Sequence, residues 1–357
     1  MVYTDVTPLD ATVQEPPIVQ ELQRLFGNLE DAPLLEALIG PTRRGPKGHP
    51  VYTLWRCFVA KYVLGLASTA ALIRELHNNP FIAEACGISS PDAIPHESTF
   101  SRFFARLSKY NTAAKVKDVS RALVRRFYED KPGFGKRVAI DSTTLKGWVN
   151  GGKSAPSDKQ AKWSVKKNTH GKEEFILGYK LHLMVDCEYE LAIAANVSPG
   201  NTHDVARASN VLREARFGTK GSFQPAYVMA DKGYSSRELR TLIARQYGAT
   251  PVIDIPASHK RALATYGEQT TLPGYMALKK QRTAVERVFS RLKGQCSLNR
   301  ITVRGLRKVT VHCYLSLLSM QVSAIAGRCA SAHSSLPRKS AEPLFGQPLL
   351  VPCGAPQ

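Results

Sequence analysis

Three acidic residues in this chain occupy positions from which they could hold metal ions for phosphodiester chemistry. Asp141 follows the apolar run VAI, Asp231 follows the apolar run AYVMA, and Glu286 lies in the segment QRTAVERVFSRLKGQ. Enzymes that cleave a phosphodiester by direct attack usually hold two Mg²⁺ ions about 3.5–4 Å apart, and Mg²⁺ prefers carboxylate oxygens. The three acids are therefore candidate catalytic ligands for two Mg²⁺ or Mn²⁺ ions. Taken singly, each aspartate could equally be a loop acid at the end of a strand.

The third acid lies in a predicted helix with an unusual charge pattern. The helical period places Arg282, Glu286 and Lys293 on one stripe, while Arg287 and Arg291 fall on the far side. An apolar stripe able to dock the helix on a sheet runs beside Glu286; it consists of Val285, Phe289 and Leu292. A simple ion pair between Glu286 and Arg282, worth about 0.2–0.5 kcal/mol, is the plainer interpretation. Metal binding accounts better for a lone carboxylate among so many cations, and it makes the four basic residues candidate DNA contacts.

The net charge favours a polyanionic partner. Forty-nine Lys and Arg face 29 Asp and Glu, for a formal net charge of +20. Between residues 256 and 310 there are 12 basic residues and only two acids. Because neutralising phosphates releases condensed counterions, nucleic acid is the expected partner. Solubility alone is the other explanation of this excess.

Several classes of protein are disfavoured by the same sequence. It contains no run of about 18 apolar residues that would predict a membrane span, and its N-terminus lacks the pattern of a signal peptide. The seven cysteines are scattered, with no Cys-x-x-Cys pair, which argues against a disulfide framework and a zinc ribbon. We therefore expect a cytoplasmic protein with no membrane partner.

The order of the predicted elements indicates an α/β core. Three strands come first, and helices and strands then alternate. The predicted strands are 136–145, 175–186, 189–197, 226–230 and 251–255, and the predicted helices are 204–217, 236–247, 281–295 and 309–326. Asp204 is the expected cap of the first of these helices. This order is the one expected of an RNase H-like fold, a mixed sheet flanked by helices, although a fold does not by itself give a function.

An all-helical region precedes this core. The segment SRFFARL places Arg102 and Arg106 opposite an apolar face, so both arginines are candidate DNA contacts. We divide the chain into four parts, which are a partly irregular N-terminal arm at 1–50, a helical DNA-recognition region at 51–130, the RNase H-like catalytic core at 131–328 and a tail at 329–357. The Pro, Ser and Gly content of the tail predicts disorder.

These motifs, in this order, resemble the bacterial insertion-sequence transposases of the DDE superfamily. One class of these enzymes carries the signature Tyr-x2-Arg-x3-Glu-x6-Lys, which Arg282, Glu286 and Lys293 match at the required spacing, with Lys279 at the tyrosine position. The Asp-Ser-Thr and Asp-x-Gly-Tyr motifs of the family are matched at Asp141 and at Asp231, and the segments GYKLHLMVD and GNTHD are also similar. The resemblance extends from about residue 50 to about residue 325.

The resemblance implies an enzyme that cuts and joins DNA. Such an enzyme binds the terminal inverted repeats of its element, hydrolyses the phosphodiester at the element's end and uses the freed 3′-hydroxyl to attack target DNA. The implied partners are double-stranded end and target DNA and a second copy of the chain, since two ends must be synapsed; when bound, the protein would be associated with the bacterial nucleoid. Three further residues are candidates for contacts that support the metal ligands from behind; they are Tyr234, His182 and His203. The two histidines could equally have a purely structural role.

Two other functions stay open on the sequence alone. One is an RNase H-like nuclease that cuts DNA or RNA without joining it. The other is a catalytically inactive DNA-binding protein derived from a transposase, an alternative that Lys279 keeps open.

Overall fold

The N-terminal part of the chain is built from helices. The computed structural model describes residues 16–39, 48–150, 156–167, 171–258, 260, 264 and 273–325. The helices of this part are α1 (Pro17–Gly27), α2 (Ala32–Leu38), α3 (Val51–Val63), α4 (Thr69–Asn78), α5 (Pro80–Ala85), α6 (Glu97–Leu107) and α7 (Tyr110–Asp130). The described part of the arm thus forms two helices, whereas the irregular segments expected at its start and the tail expected at 329–357 lie outside the described residues.

Helix α6 has the buried aromatic face that its sequence predicts. Phe100, Phe103 and Phe104 all pack against Phe58 of α3, with ring centroids 5.5–5.8 Å apart. Aromatic side chains bury large apolar areas and prefer tilted or edge-to-face contacts. This cluster therefore joins α3 and α6 into one unit, and it leaves the polar face of α6 outward.

The second part of the chain contains a six-stranded mixed sheet. Its strands are β1 (Arg137–Lys146), β2 (Lys162–Lys167), β3 (Glu173–Asp186), β4 (Ala192–Pro199), β5 (Tyr227–Ala230) and β6 (Thr250–Ile253). The strand order is β2-β3-β1-β5-β6, and β4 also pairs with β3. The pairs among β1 to β4 are antiparallel, whereas β1–β5 and β5–β6 are parallel. This is the RNase H-like arrangement that the sequence predicts. Strand β2 is an addition, because the sequence does not predict a strand at that position.

Helices cover both faces of the sheet. They are α8 (Asp204–Gly218), α9 (Arg237–Tyr247), α10 (Pro273–Gln281), α11 (Thr283–Gly294) and α12 (Leu306–Ile325). Helix α8 packs on β3 and β4, and α11 packs on β1 and β3. Helix α12 packs on β4 and also on α3 and α7, so the helical part and the sheet share one apolar cluster. None of the described helices is both long and apolar enough to cross a membrane.

Candidate active site

Parallel pairing of β1 with β5 brings Asp141 and Asp231 together. The last residues paired between these strands are Ile140 and Ala230, and each aspartate is the next residue along its strand. β5 ends here, and Asp231 leads into a single turn of 3₁₀-helix at Lys232–Tyr234. β1, in contrast, continues past Asp141 and stays paired with β3, in line with the strand predicted over 136–145. The two carboxylates thus meet at the carboxyl end of β5, where the sheet opens to solvent.

Glu286 reaches the same place from α11. The predicted apolar stripe docks this helix on the sheet, since Val285, Phe289 and Leu292 are all buried. Arg282, which immediately precedes α11, links two of the acids: one guanidinium nitrogen lies 3.4 Å from Asp141 Oδ2 and the other lies 2.9 Å from Glu286 Oε1. The expected ion pair between Arg282 and Glu286 is therefore present. Arg282 also contacts Asp141, which lies 141 positions earlier in the chain.

The pKa of Asp141 reflects this crowding. The pKa is raised to about 6, mainly by burial and in smaller part by the carboxylates of Asp231 and Glu286, while a hydrogen bond from the Ser142 amide and the charge of Arg282 lower it. Asp231 and Glu286 are therefore close enough to influence the charge of Asp141. Carboxylate oxygens are the ligands that hard divalent cations prefer, so these three acids have the chemistry of a metal-binding set. As placed, however, no group of three or more His, Cys, Asp or Glu side chains in the described part of the chain has the arrangement of a metal site.

Lys293 also faces this region. Its Nζ donates a hydrogen bond to Thr143 Oγ1 at 2.6 Å, two residues beyond Asp141 on β1. Burial lowers the pKa of the Lys293 ammonium, and the nearby charge of Lys166 lowers it further. Lys293 in α11 and Arg282 just before it therefore both contact β1. This agrees with the predicted stripe, which places both residues on the same side of the helix as Glu286.

Arg287 and Arg291, which the sequence makes candidate DNA contacts, both bind an acidic residue of the chain itself. Both bind Glu190, whose side chain is only 7% exposed: Arg287 Nε contacts Oε1, and an Arg291 guanidinium nitrogen lies 3.1 Å from Oε2. Arg291 also donates to the Glu190 carbonyl oxygen at 2.6 Å. These bonds fasten α11 to the turn between β3 and β4, so this arrangement does not support their expected role as DNA contacts. Sequence reasoning missed Glu190, because nothing in the sequence brings a turn acid to a helix about 100 residues later.

The two arginines of α6 also differ from each other. Arg102 is exposed and makes only a long contact of 3.4 Å with Thr99 Oγ1. Arg106 donates to the carbonyl oxygen of Leu38 at the end of α2. Arg102 is therefore open to a partner, whereas Arg106 holds two helices together.

His182 lies on the face of the sheet opposite Asp141. It pairs across the strands with Ser142, and neighbouring residues of a strand point to opposite faces. Its ring is 1% exposed and shares a hydrogen bond of 2.8 Å with Ser198 Oγ. Burial lowers its pKa to about 4, so the ring is a neutral structural group behind the site rather than a phosphate contact.

Asp204 is not the cap of α8 that the sequence predicts. It is the first residue of the helix, where the preceding His203 occupies the cap position without a side-chain hydrogen bond and is exposed to solvent. The Asp204 carboxylate accepts a hydrogen bond from Lys180 Nζ at 3.1 Å and lies 3.7 Å from His182 Nδ1. It therefore belongs to a polar cluster on the α8 side of the sheet.

Tyr234 connects this cluster to the acids. Its ring is buried, and its pKa is raised by burial and by the carboxylates of Asp141, Asp204 and Asp231. The tyrosine thus lies directly behind the two aspartates, as its place in the Asp-x-Gly-Tyr motif suggests. Lys279, in contrast, lies near the end of α10, and its Nζ is 2.7 Å from Asp254, the residue that follows β6.

With this geometry established, sequence comparison defines the class of protein. The family described as "Transposase DDE domain" matches residues 132–321, which is just over half of the chain, and the family described as "Transposase domain (DUF772)" matches residues 8–106. The protein belongs to the DDE transposase family.

More distant comparisons give weaker results. No curated protein matches the chain. Among solved structures, the chain is similar to a piggyBac transposase synaptic complex with hairpin DNA, at 12% identity and a TM-score of 0.40 over 88% of this chain and 77% of that one. The chain is also similar to the Mos1 transposase paired-end complex with the left transposon end, at 13% identity and a TM-score of 0.20 over 74% of this chain and 83% of that one. A second Mos1 structure, the mariner paired-end complex with Mn, has 10% identity and a TM-score of 0.20 over 80% of this chain and 87% of that one. At these scores they add nothing to the family match.

Proposed function

We propose that this protein is a transposase that binds the ends of an insertion sequence, hydrolyses a phosphodiester there and transfers the freed strand into target DNA. Membership of the DDE transposase family gives the class. The observation that carries the finer statement is the meeting of Asp141, Asp231 and Glu286 at one end of the sheet, although they come from three separate elements.

These three residues would hold two Mg²⁺ or Mn²⁺ ions, which in such enzymes stabilise the attacking and leaving oxygens of the displacement. The residues of the chain prepare that site. The three carboxylates supply oxygen ligands from a strand, a strand end and a docked helix, all of them rigid supports. Arg282 bridges Asp141 and Glu286 and so partly offsets their mutual repulsion. When the two carboxylates bind metal ions instead, the guanidinium would be free to turn toward a phosphate.

Lys293 would bind the DNA backbone next to the scissile phosphate. Its ammonium group lies at Thr143, on the same strand as Asp141. A lysine is a compact point charge suited to a phosphate oxygen. With Arg102 on α6, and with a net charge of +20 over the chain, it would form part of a longer phosphate-binding surface.

The two parts of the chain would have different functions. Residues 51–130 would recognise the DNA ends, and residues 131–328 would carry out the chemistry on double-stranded end and target DNA. Helix α12 packs against both parts, so recognition and catalysis would share a rigid connection. Synapsis of two ends requires a homodimer, and the protein would act on the bacterial nucleoid in the cytoplasm.

One experiment separates this function from its alternatives. Purified protein is incubated with Mg²⁺, a target plasmid and labelled DNA carrying the sequences that flank its gene. Joined product supports the transposase, whereas cut product that is never joined indicates a nuclease. Binding without cutting indicates a catalytically inactive DNA-binding protein.

A further inference from the structure

The strand that sequence analysis missed forms a two-stranded ribbon with the start of β3. β1 is last paired to β3 at Gly178, and β2 pairs with the residues of β3 from Glu173 to Gly178. Two successive cross-strand pairs on one side of this ribbon are apolar. These pairs are Trp163 with Leu177 and Val165 with Phe175.

This apolar side, here called the ribbon face, is exposed. Trp163, Val165 and Phe175 are 53%, 56% and 60% exposed, respectively, and Leu177 is partly buried against the core. Large apolar side chains that stay so exposed on adjacent strands mark an interaction surface more often than chance. The other side of the ribbon does not share this property, since Ser164 is buried there.

The ribbon face continues the face of the sheet that carries Asp141. Alternate residues of a strand share a face, so Phe175 and Leu177 lie on the same face of β3 as Leu183, which is the cross-strand partner of Asp141. Leu177 and Leu183 are six residues apart, or about 20 Å along the strand. That span is shorter than one turn of duplex DNA, which is about 34 Å. The ribbon face therefore lies within one duplex turn of Asp141, beyond the part of the sheet that α11 covers.

Charge and area both favour DNA over a second protein as the occupant. Five lysines and two glutamates lie between residues 159 and 174, and Lys159, Lys162 and Lys166 are exposed. The exposed apolar area of four side chains is on the order of 350 Å², well below the roughly 800 Å² per partner of a stable protein interface. A small apolar patch within a basic ribbon suits nucleic acid better, because aromatic rings stack on bases while lysines bind the phosphates.

We propose that the ribbon face binds unpaired bases of DNA distorted next to the cut site. This inference rests on the proposed function for the path of the DNA past Asp141. Bases within an intact duplex are stacked on each other, so Trp163 and Phe175 can stack only where the helix is opened. The ribbon would thereby hold the strands apart beside the acids.

The test compares two short duplexes of the same arbitrary sequence, one fully paired and one with a central run of unpaired nucleotides. Their affinities are measured by fluorescence anisotropy for the wild-type protein, for Trp163→Ala/Phe175→Ala, for Trp163→Phe and for Phe217→Ala. Phe217 is the matched control, an aromatic residue of α8 that is 70% exposed. The double variant should lose at least about fivefold in affinity for the unpaired probe and little for the paired one. Trp163→Phe and Phe217→Ala should keep the wild-type preference.

Three other results would overturn the inference. If the wild-type protein binds both probes equally, or if the double variant keeps the preference, the ribbon face does not bind bases. If the wild-type protein sediments as a dimer and the double variant as a monomer, the face is a protein interface. If the wild-type protein binds neither probe but does bind DNA from the flanks of its gene, the inference fails and the proposed function stands; if it binds none of these DNAs, the proposed function itself fails. Thermal melts of all variants confirm that the comparison is between folded proteins.

Discussion

Lys293 Nζ donates a hydrogen bond to Thr143 Oγ1 at 2.6 Å, and this bond joins the last turn of α11 to β1 two residues beyond Asp141. Helix α11 is thus fixed to the sheet at both ends of its polar stripe, by Arg282 at its start and by Lys293 near its close. The two contacts aim Glu286 at the aspartates while the apolar stripe of the helix faces the core.

This contact predicts that the charge of Lys293 matters more for DNA binding than for folding. Lys293→Ala should weaken DNA binding and reduce the slope of log affinity against log salt by about one, since one phosphate contact is lost. Thr143→Val removes the hydrogen bond but keeps the ammonium, so its salt slope should stay as in the wild type. Phe289→Ala, on the buried stripe, should instead lose about 3–5 kcal/mol of stability. An early melt of Lys293→Ala with an unchanged salt slope would show that the lysine is structural.

Glu190 should be more important for stability than an ordinary surface acid. Glu190→Gln leaves the guanidinium groups of Arg287 and Arg291 without their carboxylate, which should cost about 1–3 kcal/mol in the free energy of unfolding. Glu188 is the matched control, because it is exposed and pairs with Arg137 at 2.7 Å. Glu188→Gln should cost at most about 1 kcal/mol. Urea unfolding of both variants measures the difference, and equal losses would contradict the role of Glu190 in fastening α11.

A buried histidine predicts how stability depends on pH. His312 accepts a hydrogen bond from Tyr62 Oη at Nδ1, at 2.6 Å, and Nε2 donates to the Leu298 carbonyl oxygen at 3.2 Å. Burial lowers the pKa of His312 to about 4, whereas an unfolded histidine has a pKa near 6.5. The folded state therefore disfavours protonation: its stability is fully present above about pH 6.5 and declines as the pH falls toward 4.

The free energy of unfolding, measured by urea at several pH values between 7 and 4, tests this directly. His182 has a pKa lowered in the same direction, so both histidines contribute to the decline. His312→Gln should make the loss of stability with falling pH smaller, while lowering stability at neutral pH. An unchanged pH dependence in this variant would mean that His312 becomes protonated as easily in the folded protein as in the unfolded one.

Local patterns were enough to predict most of the core. Apolar runs lead into Asp141 and Asp231, and α11 has a regular apolar stripe, so each element could be recognised from its own residues. β2 escaped notice because KWSVKK carries three lysines and reads as a basic loop; it becomes a strand only by pairing with β3. The same limit applies to any element whose structure depends on a distant partner.

Side-chain partners were harder to predict than elements. The alternation along β3 was evident in the sequence, but which face Asp141 shares depends on the register that pairs it with Leu183 and places Ser142 opposite His182. The binding of Arg287 and Arg291 to Glu190 depends on the turn between β3 and β4, where Glu190 has a positive φ of 52°. The helical period of α11 predicts where these arginines lie on the helix. It does not predict the strand register or the turn conformation, and therefore it cannot identify Glu190 as their partner.

The central claim is that Asp141, Asp231 and Glu286 together form the catalytic site. It is tested most directly by measuring DNA cleavage and DNA binding on the same preparations of Asp141→Asn, Asp231→Asn and Glu286→Gln, with labelled DNA from the flanks of the gene and with Mg²⁺ or Mn²⁺. Asp254→Asn is the control, since this acid also follows a strand of the sheet but pairs with Lys279. Each of the three variants should bind DNA about as well as the wild type and cut none of it, whereas Asp254→Asn should cut normally. Cleavage by Glu286→Gln at the wild-type rate would contradict the claim.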